Sequence, residues 1–420
     1  MRKLFTLLFL SVGLLPAAFA QTAVTVTTGQ GYQTDVFYSL ENGEAGTAPR
    51  TEWDLAFMIN ISSAIRANTA AGTSVFSVPY AQSEWASVDT AGHLTDANML
   101  YDDMTSWGIG ALNSTADTSD WTDIGWGTYD LMTHIVTGDS VFVVESVGGN
   151  FYKVAIEERA SGEYTFRVGT LDGSVDTTYT LDTQNFSDKY FVYLNLDNAQ
   201  WLDREPVREA WDLLFTQYTT AIPAGPGTVF NYPVSGVLSN PGTEVAVLSP
   251  VDIGSTNDTT GAPWSMAPNT IGYDWKAYDM QTATYEIEDS TVYFIKQTDG
   301  EVYKVWMTDF GGSGTGEFMF NQEPLGVSSV GEDLNNALEL FSSYPNPATD
   351  HTNLVIDASR PMTLELQLVT VTGQVVKQQQ IRTTGGLQTQ RVSLAGLPTG
   401  MYHLVVISPE GRHTQKLLVR

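Results

Sequence analysis

The sequence predicts a mostly β protein, with two tandem antiparallel β-rich domains followed by a C-terminal β-sandwich. Runs rich in β-branched and aromatic residues, SVFVVESV (140–147) and TVYFIKQT (291–298), each end at a hairpin turn signal, Gly148-Gly149-Asn150 or Thr298-Asp299-Gly300. Apolar and polar residues alternate with a period of two in the segments that follow, and helical periodicity is scarce.

The first twenty residues, MRKLFTLLFLSVGLLPAAFA, have the pattern of a secretory signal peptide. Arg2 and Lys3 precede an apolar run, and Ala18-Phe19-Ala20 has the small-x-small pattern of a cleavage site. A membrane anchor needs about 20 apolar residues, and this run is shorter. We therefore expect a mature chain that begins at Gln21, is secreted or attached to the cell surface, and has no transmembrane segment.

Charge is distributed unevenly along the chain. The net charge is −28, but residues 1–20 carry +2 and residues 341–420 carry +3, so that the residues between them carry −33. This field repels nucleic acid and anionic lipid, and neither is expected as a partner. Because the chain has no cysteine, its stability has to come from core burial.

The middle region contains an internal repeat. TEWDLAF (51–57) returns as EAWDLLF (209–215), residues 31–44 correspond to 186–199, and residues 124–167 correspond to 271–320 in the same order. Such a unit is too long for a solenoid repeat. The repeat predicts two domains, residues 21–183 and 184–325, and a linker at 326–340. Alternation within WDLAF places Trp53, Leu55 and Phe57 on the core face of a strand, with Asp54 on the other face as a turn or edge hydrogen bonder.

The last eighty residues carry the most specific motifs. Alternating strands are separated by turn signals, and YPNP (344–347), Gly373-Gln374, LPTGMY (397–402) and the terminal KLLVR (416–420) occur in order. This region, residues 341–420, resembles the immunoglobulin-like C-terminal sorting domain of the type IX secretion system of Bacteroidetes. The resemblance implies export across the outer membrane and contact with that secretion machinery.

The middle region resembles the HmuY-like family of secreted haem-binding proteins. The resemblance rests on WDLAF after the preceding strand and on the block VYFIKQTDGEVYKVWMTDF (292–310). It implies capture of haem or porphyrin, or of a haem protein from the host or the environment.

Haem iron accepts imidazole nitrogen or thioether sulfur. Before residue 341 the only histidines are His93 and His134, both in the first copy, so the second copy would have to use methionine. The predicted cofactor-binding residues are His134, Met132, Met104, Met266 and Met280, with Met99 as a further candidate. His134 and Met132 lie two apart on a predicted strand, so at most one of them reaches a given iron.

No motif of an enzyme is present. GxSxG, HExxH, a P-loop and a GxGxxG after a strand are all missing, and no pair of carboxylates has a spacing that singles it out. We therefore expect a binding protein with no catalytic residues. The alternative to haem capture is a surface adhesion module for a glycan or a protein, which the ten tryptophans and nineteen tyrosines would suit.

Overall fold

A computed structural model describes residues 21–59, 62–225 and 227–327 and, in the C-terminal region, 338–344, 346, 348–358, 360–370, 375–384, 386–408 and 411–420. Regular structure in this part of the chain is nearly all β-strand, and the strands of its sheets pair antiparallel. The predicted fold class is confirmed. The predicted signal peptide and most of the predicted linker lie outside the described residues and stay predictions.

In chain order, the strands before the C-terminal region are β1 (Thr22–Thr27), β2 (Thr34–Ser39), β3 (Gly43–Pro49), β4 (Leu55–Met58), β5 (Ile65–Ala67), β6 (Ser74–Ala81), β7 (Met99–Leu100), β8 (Gly127–Tyr129), β9 (Val136–Gly138), β10 (Ser140–Glu145), β11 (Phe151–Ala160), β12 (Glu163–Thr170), β13 (Asp176–Asp182), β14 (Phe191–Asn195), β15 (Gln200–Leu202), β16 (Leu213–Gly225), β17 (Thr228–Ser239), β18 (Glu244–Leu248), β19 (Lys276–Asp279), β20 (Thr284–Ile287), β21 (Val292–Lys296), β22 (Glu301–Phe310) and β23 (Glu317–Val327). One short α-helix, α1 (Gly312–Thr315), joins β22 to β23. Short 3-10 helices lie at Thr69–Ala71, Gln82–Ser87, Asp96–Asn98, Ala111–Asn113, Thr183–Phe186, Arg208–Ala210 and Pro268–Thr270.

The first sandwich packs the sheet β15-β14-β4-β5 against the sheet β13-β12-β11-β10-β6-β7, which also carries the small hairpin β8–β9. The apolar run of β10 is continuous because both of its faces are covered. Phe142 and Val144 enter the core between the sheets, whereas Val141 and Val143 pack on the outer face with Trp85. A strand buried on both faces has no need of polar residues on either.

The second sandwich packs the sheet β17-β16-β2-β3 against the sheet β1-β23-β22-β21-β18, with the separate hairpin β19–β20 beside it. Its core contains stacked and edge-on aromatic rings. Phe215 lies 5.2 Å from Phe318 and 5.6 Å from Phe320, measured between ring centroids. Aromatic contacts of this kind stabilise a core beyond the area that they bury.

In each of these two sandwiches, the four-stranded sheet is completed by a hairpin from the other repeat. The early hairpin β2–β3 pairs with β16, with Val36 opposite Phe215, so it belongs to the second sandwich. The later hairpin β14–β15 pairs with β4, with Val192 opposite Phe57, so it belongs to the first sandwich. The two repeats therefore exchange their first hairpins.

This exchange changes the division of the chain from the one that the sequence predicts. The packed units are not residues 21–183 and 184–325. The first sandwich runs from β4 to β15, whereas the second combines β1–β3 with β16–β23. The difference arises because a strand pattern specifies which face of a strand is buried but does not specify the partner strand.

A buried aspartate fixes each exchanged hairpin. The Oδ2 atom of Asp54 accepts a hydrogen bond of 2.7 Å from the Leu196 N–H, and its Oδ1 accepts one of 2.7 Å from the Val147 N–H. At the equivalent place, Asp212 Oδ2 accepts from the Leu40 N–H at 2.8 Å and from Gln297 Nε2 at 2.8 Å. Asp54, predicted as a turn or edge hydrogen bonder, and its counterpart Asp212 are thus buried connections between the two repeats.

The expected core position of Trp53 is wrong. Leu55 and Phe57 enter the core of the first sandwich, but Trp53 packs on the opposite face of the sheet, against the cluster that contains Ala56 and Met58. The strict alternation fails because β4 begins at Leu55, so Trp53 precedes the strand.

The C-terminal region forms a third sandwich. Its strands are β24 (Leu338–Tyr344), β25 (His351–Ala358), β26 (Thr363–Thr370), β27 (Val375–Arg382), β28 (Gly386–Ser393), β29 (Gly400–Ser408) and β30 (Gly411–Val419). The sheet β24-β25-β28 packs on the sheet β27-β26-β29-β30 through residues such as Ile356, Leu366 and Leu404.

Candidate functional site

The first two sandwiches meet at the outer faces of their four-stranded sheets, a region that we call the junction. The indole N–H of Trp107, from the first sandwich, donates to the Ser239 carbonyl oxygen of the second at 2.9 Å. Met104 packs with Tyr218 and Leu238. The junction is therefore an interface within one chain.

A buried ion pair crosses the junction. Arg204, which follows β15, forms an ion pair of 2.9 Å with Asp35 of β2 and another of 3.1 Å with Glu52. The Arg204 guanidinium also lies over the Tyr193 ring, 5.0 Å from its centroid. Because both members of the Arg204–Asp35 pair are buried, removing one would leave an uncompensated charge.

A carboxyl group beside this network has a strongly shifted pKa. Burial raises the pKa of Glu205 to about 7, although Glu205 accepts hydrogen bonds from the backbone N–H groups of Phe191 and Tyr190 and from the Tyr193 hydroxyl. Its raised pKa means that the folded protein binds a proton that the unfolded chain has already lost at neutral pH.

This shift predicts a pH dependence of stability. The pKa of Glu205 is 4.5 in the unfolded chain and about 7 in the folded protein, so between these pH values the folded protein alone holds the proton. The contribution of this proton to the unfolding free energy is complete below pH 4.5 and is lost as the pH rises through about 7. We expect Glu205→Gln to reduce the fall in unfolding free energy between pH 5 and pH 8 by up to about 3 kcal/mol. Urea unfolding of both proteins at several pH values measures the difference. Parallel pH profiles for the two proteins would contradict the assignment.

A cavity of about 70 Å³ lies within the junction. Four buried polar atoms that line it have no hydrogen-bond partner among the described residues: Trp53 Nε1, Trp211 Nε1, Tyr218 Oη and Thr219 Oγ1. A water needs about 10–15 Å³ of such space, whereas ligand pockets occupy about 300–1,000 Å³. The junction cavity therefore fits a few waters and is too small for a porphyrin.

A larger cleft lies on the second sandwich, and we call it the tyrosine cleft. Its volume is about 510 Å³, and its lining includes Tyr278, Tyr285, Asp309 and the glycine-rich turn 311–314. Two parts of the chain build it: the hairpin β19–β20 supplies the tyrosines, and the end of β22 with α1 supplies the carboxylate and the turn. Its volume is within the range of small-ligand sites.

Aromatic contacts hold the rings of the tyrosine cleft. The centroids of Tyr278 and Tyr285 are 5.1 Å apart, and Tyr285 meets Phe310 edge-on at 4.8 Å. Gly312 has a φ of 61°, and a Cβ there would approach Cε2 of Tyr285 at 3.1 Å. Glycine is therefore needed both for the backbone conformation and for the close approach of the ring.

The equivalent hairpin of the first sandwich, β8–β9, also carries aromatic side chains. The ring centroids of Trp121 and Tyr129 are 6.3 Å apart, and the Tyr129 hydroxyl is hydrogen-bonded to His134 Nδ1 at 2.7 Å. Trp121 is exposed.

The predicted haem ligands His134 and Met132 lie in one turn. They were expected on a strand, but β8 ends at Tyr129 and β9 begins at Val136, so both lie between the strands, and His134 has a φ of 59°. The turn forms because Asp130 Oδ1 accepts hydrogen bonds from the N–H groups of Met132 and Thr133. Met132 is 88% exposed at the tip.

The other predicted ligands differ in their exposure to solvent. Met280 is 88% exposed at the tip of β19–β20, and Met266 is also exposed. Met104 is buried at the junction, where its sulfur lies 3.2 Å from an Arg66 guanidinium nitrogen. Of the predicted ligands, Met104 alone lines either of these two cavities, and its cavity is the small one at the junction. The ligand roles of all five residues stay predictions.

Sequence reasoning missed the residues of the tyrosine cleft. The signals that could have found them are the run GGSGTG (311–316) and the two tyrosines of YDMQTATY (278–285). Neither signal shows by itself that Asp309 and Tyr278 line one cleft.

Comparison with known proteins identifies the C-terminal region. A family model described as a secretion system C-terminal sorting domain matches residues 342–420. The chain therefore carries a type IX sorting domain, which interacts with that secretion machinery, and the protein is exported, either secreted or attached to the outer surface. Among the described residues, no helix is long and apolar enough to span a membrane.

The other comparisons do not identify a family for this chain. No curated protein matches the chain. A solved structure that is similar to it is the crystal structure of dimeric latent PorU from Porphyromonas gingivalis, with 10% identity and a TM-score of 0.18 over 68% of this chain and 31% of that chain. The match spans about a third of that structure, and a TM-score this low carries no argument about fold or function.

Proposed function

We propose that the exported protein is a binding module that takes an uncharged glycan in the tyrosine cleft, without catalysing a reaction. The observation that carries this proposal is the composition of the cleft: the exposed ring of Tyr278 and the half-buried ring of Tyr285 stand beside an exposed carboxylate and a glycine-rich turn. The negative face of an aromatic ring attracts the polarised C–H groups of a sugar. The Asp309 carboxylate accepts hydrogen bonds from sugar hydroxyls.

The charge of the protein selects among glycans. The chain carries −28, and Asp309 lines the cleft itself while Asp279 lies at the end of β19. An acidic polysaccharide would be repelled from this surface. The proposed ligand class is therefore a neutral polysaccharide or oligosaccharide.

Substituting Tyr278 by alanine is expected to weaken glycan binding about tenfold, because one ring-to-sugar contact of about 1.4 kcal/mol is lost. Affinity electrophoresis against immobilised neutral polysaccharides, a glucan, a xylan and a mannan, would identify a ligand, and calorimetry would measure the loss. Tyr278 is 54% exposed, so the substitution leaves the core intact. Trp121→Ala is the matched control, because Trp121 is an exposed aromatic residue that contacts Tyr129 of the equivalent hairpin. Equal losses in the two variants would contradict the placement of the site.

Haem capture is the competing function. It is supported by the resemblance of the middle region and by the exposure of Met132 and Met280 at the tips of the two equivalent hairpins. Titration with hemin separates the two proposals: a Soret shift that is lost in Met132→Ala or Met280→Ala, together with no retention by any polysaccharide, would replace the glycan proposal with haem capture.

A further inference from the structure

Strands β16 and β17 extend beyond the sheet to which they belong. Strand β2 pairs with β16 only from Leu213 to Phe215, yet β16 and β17 remain paired with each other out to Gly225 and Thr228. The equivalent strands of the first sandwich, β4 and β5, have four and three residues. We call the projecting part, Ala221–Gly225 with Thr228–Pro233, the arm.

The surface of the arm is apolar. Val229 is 65% exposed, Tyr232 is 51% exposed and Phe230 is 45% exposed. No charged residue occurs between Asp212 and Glu244, although 16% of the chain is charged. The arm is therefore a neutral and largely apolar extension on a strongly acidic protein, and it contacts the first sandwich through Ile222 and Asn231.

The arm also presents unpaired backbone. Among the described residues, β17 has one strand partner, β16, and beyond it a single bridge between Val237 and Gly272 near the root of the arm. The outer edge of residues 228–232 thus offers N–H and C=O groups for pairing, and Pro233 offers only its C=O. Isolated two-stranded ribbons are marginally stable in water, and exposed apolar edges tend to pair with another chain.

We propose that the arm is a self-association surface, at which the β17 edges of two copies pair antiparallel around a two-fold axis. The charge distribution directs a second copy to the arm. Two chains of −28 repel each other over most of their surface, and the arm lies in the long stretch without charged residues, where they can meet without like charges facing each other. A cationic partner would instead be attracted to the acidic surface. An antiparallel edge pair is also self-complementary, as a two-fold interface requires. This proposal does not depend on glycan binding.

Salt and substitution test the proposal in the mature full chain. Sedimentation velocity is expected to show a monomer–dimer equilibrium that strengthens as salt increases, because salt screens the repulsion between the acidic surfaces. Val229→Lys is expected to weaken association by about tenfold or more, since it places like charges across the two-fold axis. Val175→Lys, an exposed apolar residue of the first sandwich, is the matched control and should leave the equilibrium unchanged.

Cysteine cross-linking locates the contact. The chain has no cysteine, so Val229→Cys gives one thiol per copy and is expected to form a disulfide-linked dimer under mild oxidation, whereas Val175→Cys is not. A wild-type protein that stays monomeric at all salt and protein concentrations would overturn the proposal. So would a dimer that survives Val229→Lys without cross-linking through Val229→Cys.

Discussion

A chain that lacks residues 21–50 is expected to lose the second sandwich and to keep the first. The deleted segment contains β1, the edge strand beside β23, and the hairpin β2–β3, whose β2 pairs with β16. In the predicted division of the chain these residues belong to the first domain, and that division would assign the damage to the opposite sandwich.

The size of the lost core supports a complete effect. Val26, Val36, Tyr38 and Leu40 are all buried in the second sandwich. Burial of a large apolar side chain contributes about 1.5–3 kcal/mol, so four of them approach the whole stability of an ordinary domain, about 5–15 kcal/mol.

Tryptophan positions make the outcome measurable. Trp275 is buried in the second sandwich and Trp126 in the first, so near-ultraviolet circular dichroism should show a partial loss of the signal from packed aromatic rings. Limited proteolysis should yield a protected fragment that starts near β4 and ends near β15. Removal of residues 328–420 is the matched deletion, because it leaves every strand of both sandwiches in place. Digestion of the first sandwich instead of the second would be the contrary result.

Substitution of either buried aspartate by alanine is expected to lower the unfolding free energy by about 3–5 kcal/mol. Asp54→Ala would leave the N–H groups of Leu196 and Val147 without acceptors, and Asp212→Ala would do the same to Leu40 and to the Gln297 amide. Each buried donor without a partner costs about 1–3 kcal/mol.

Chemical denaturation with urea measures both variants. Burial raises the pKa of Asp212 to about 6, so measurement at pH 8 keeps the wild-type carboxylate ionised and fully able to accept both hydrogen bonds. Asp289→Ala is the control, because Asp289 is exposed and such a change is expected to stay within about 0.5 kcal/mol. Equal effects at all three positions would contradict the structural role of the motif.

The sequence predicts the hairpin turns correctly, because the residues that specify a turn lie within the turn itself. The turns at Gly148-Gly149-Asn150 and Thr298-Asp299-Gly300 connect β10 to β11 and β21 to β22 as expected. Both turns combine glycine with asparagine or aspartate, which adopt the required backbone conformations at low cost. The β-sandwich of the C-terminal region follows for the same reason, from short strands and turn signals.

The exchange of hairpins lies beyond local reasoning. Val36 lies opposite Phe215, and Val192 lies opposite Phe57. Because both pairs combine a valine with a phenylalanine, either hairpin would satisfy the hydrophobic pattern of either sheet. What distinguishes them are long-range contacts, such as the Tyr38 hydroxyl that donates to Gln322 Oε1 at 3.0 Å. The structure also corrects the sequence alignment of segments 31–44 and 186–199 by one residue. Val36 and Val192 occupy equivalent places, opposite Phe215 and Phe57.

The candidate site was hidden for a related reason. Tyr278 and Asp309 come from different elements, and only the packing of β19–β20 beside the end of β22 places them in one cleft. The methionine and histidine candidates were predicted from the chemistry of haem ligands. The structure places Met132 and His134 in a turn that the Asp130 side chain stabilises. Such a turn occurs in hairpins of any function and therefore gives no evidence of a haem site.

Hydrogen exchange of two backbone amides tests the exchanged hairpins most directly. We predict that Asp212→Ala accelerates exchange at Leu40, 172 residues away, and leaves Leu196 protected, whereas Asp54→Ala accelerates exchange at Leu196, 142 residues away, and leaves Leu40 protected. If each substitution instead exposed the hairpin of its own repeat, Leu40 with Asp54 and Leu196 with Asp212, the interleaved arrangement of the two sandwiches would be contradicted.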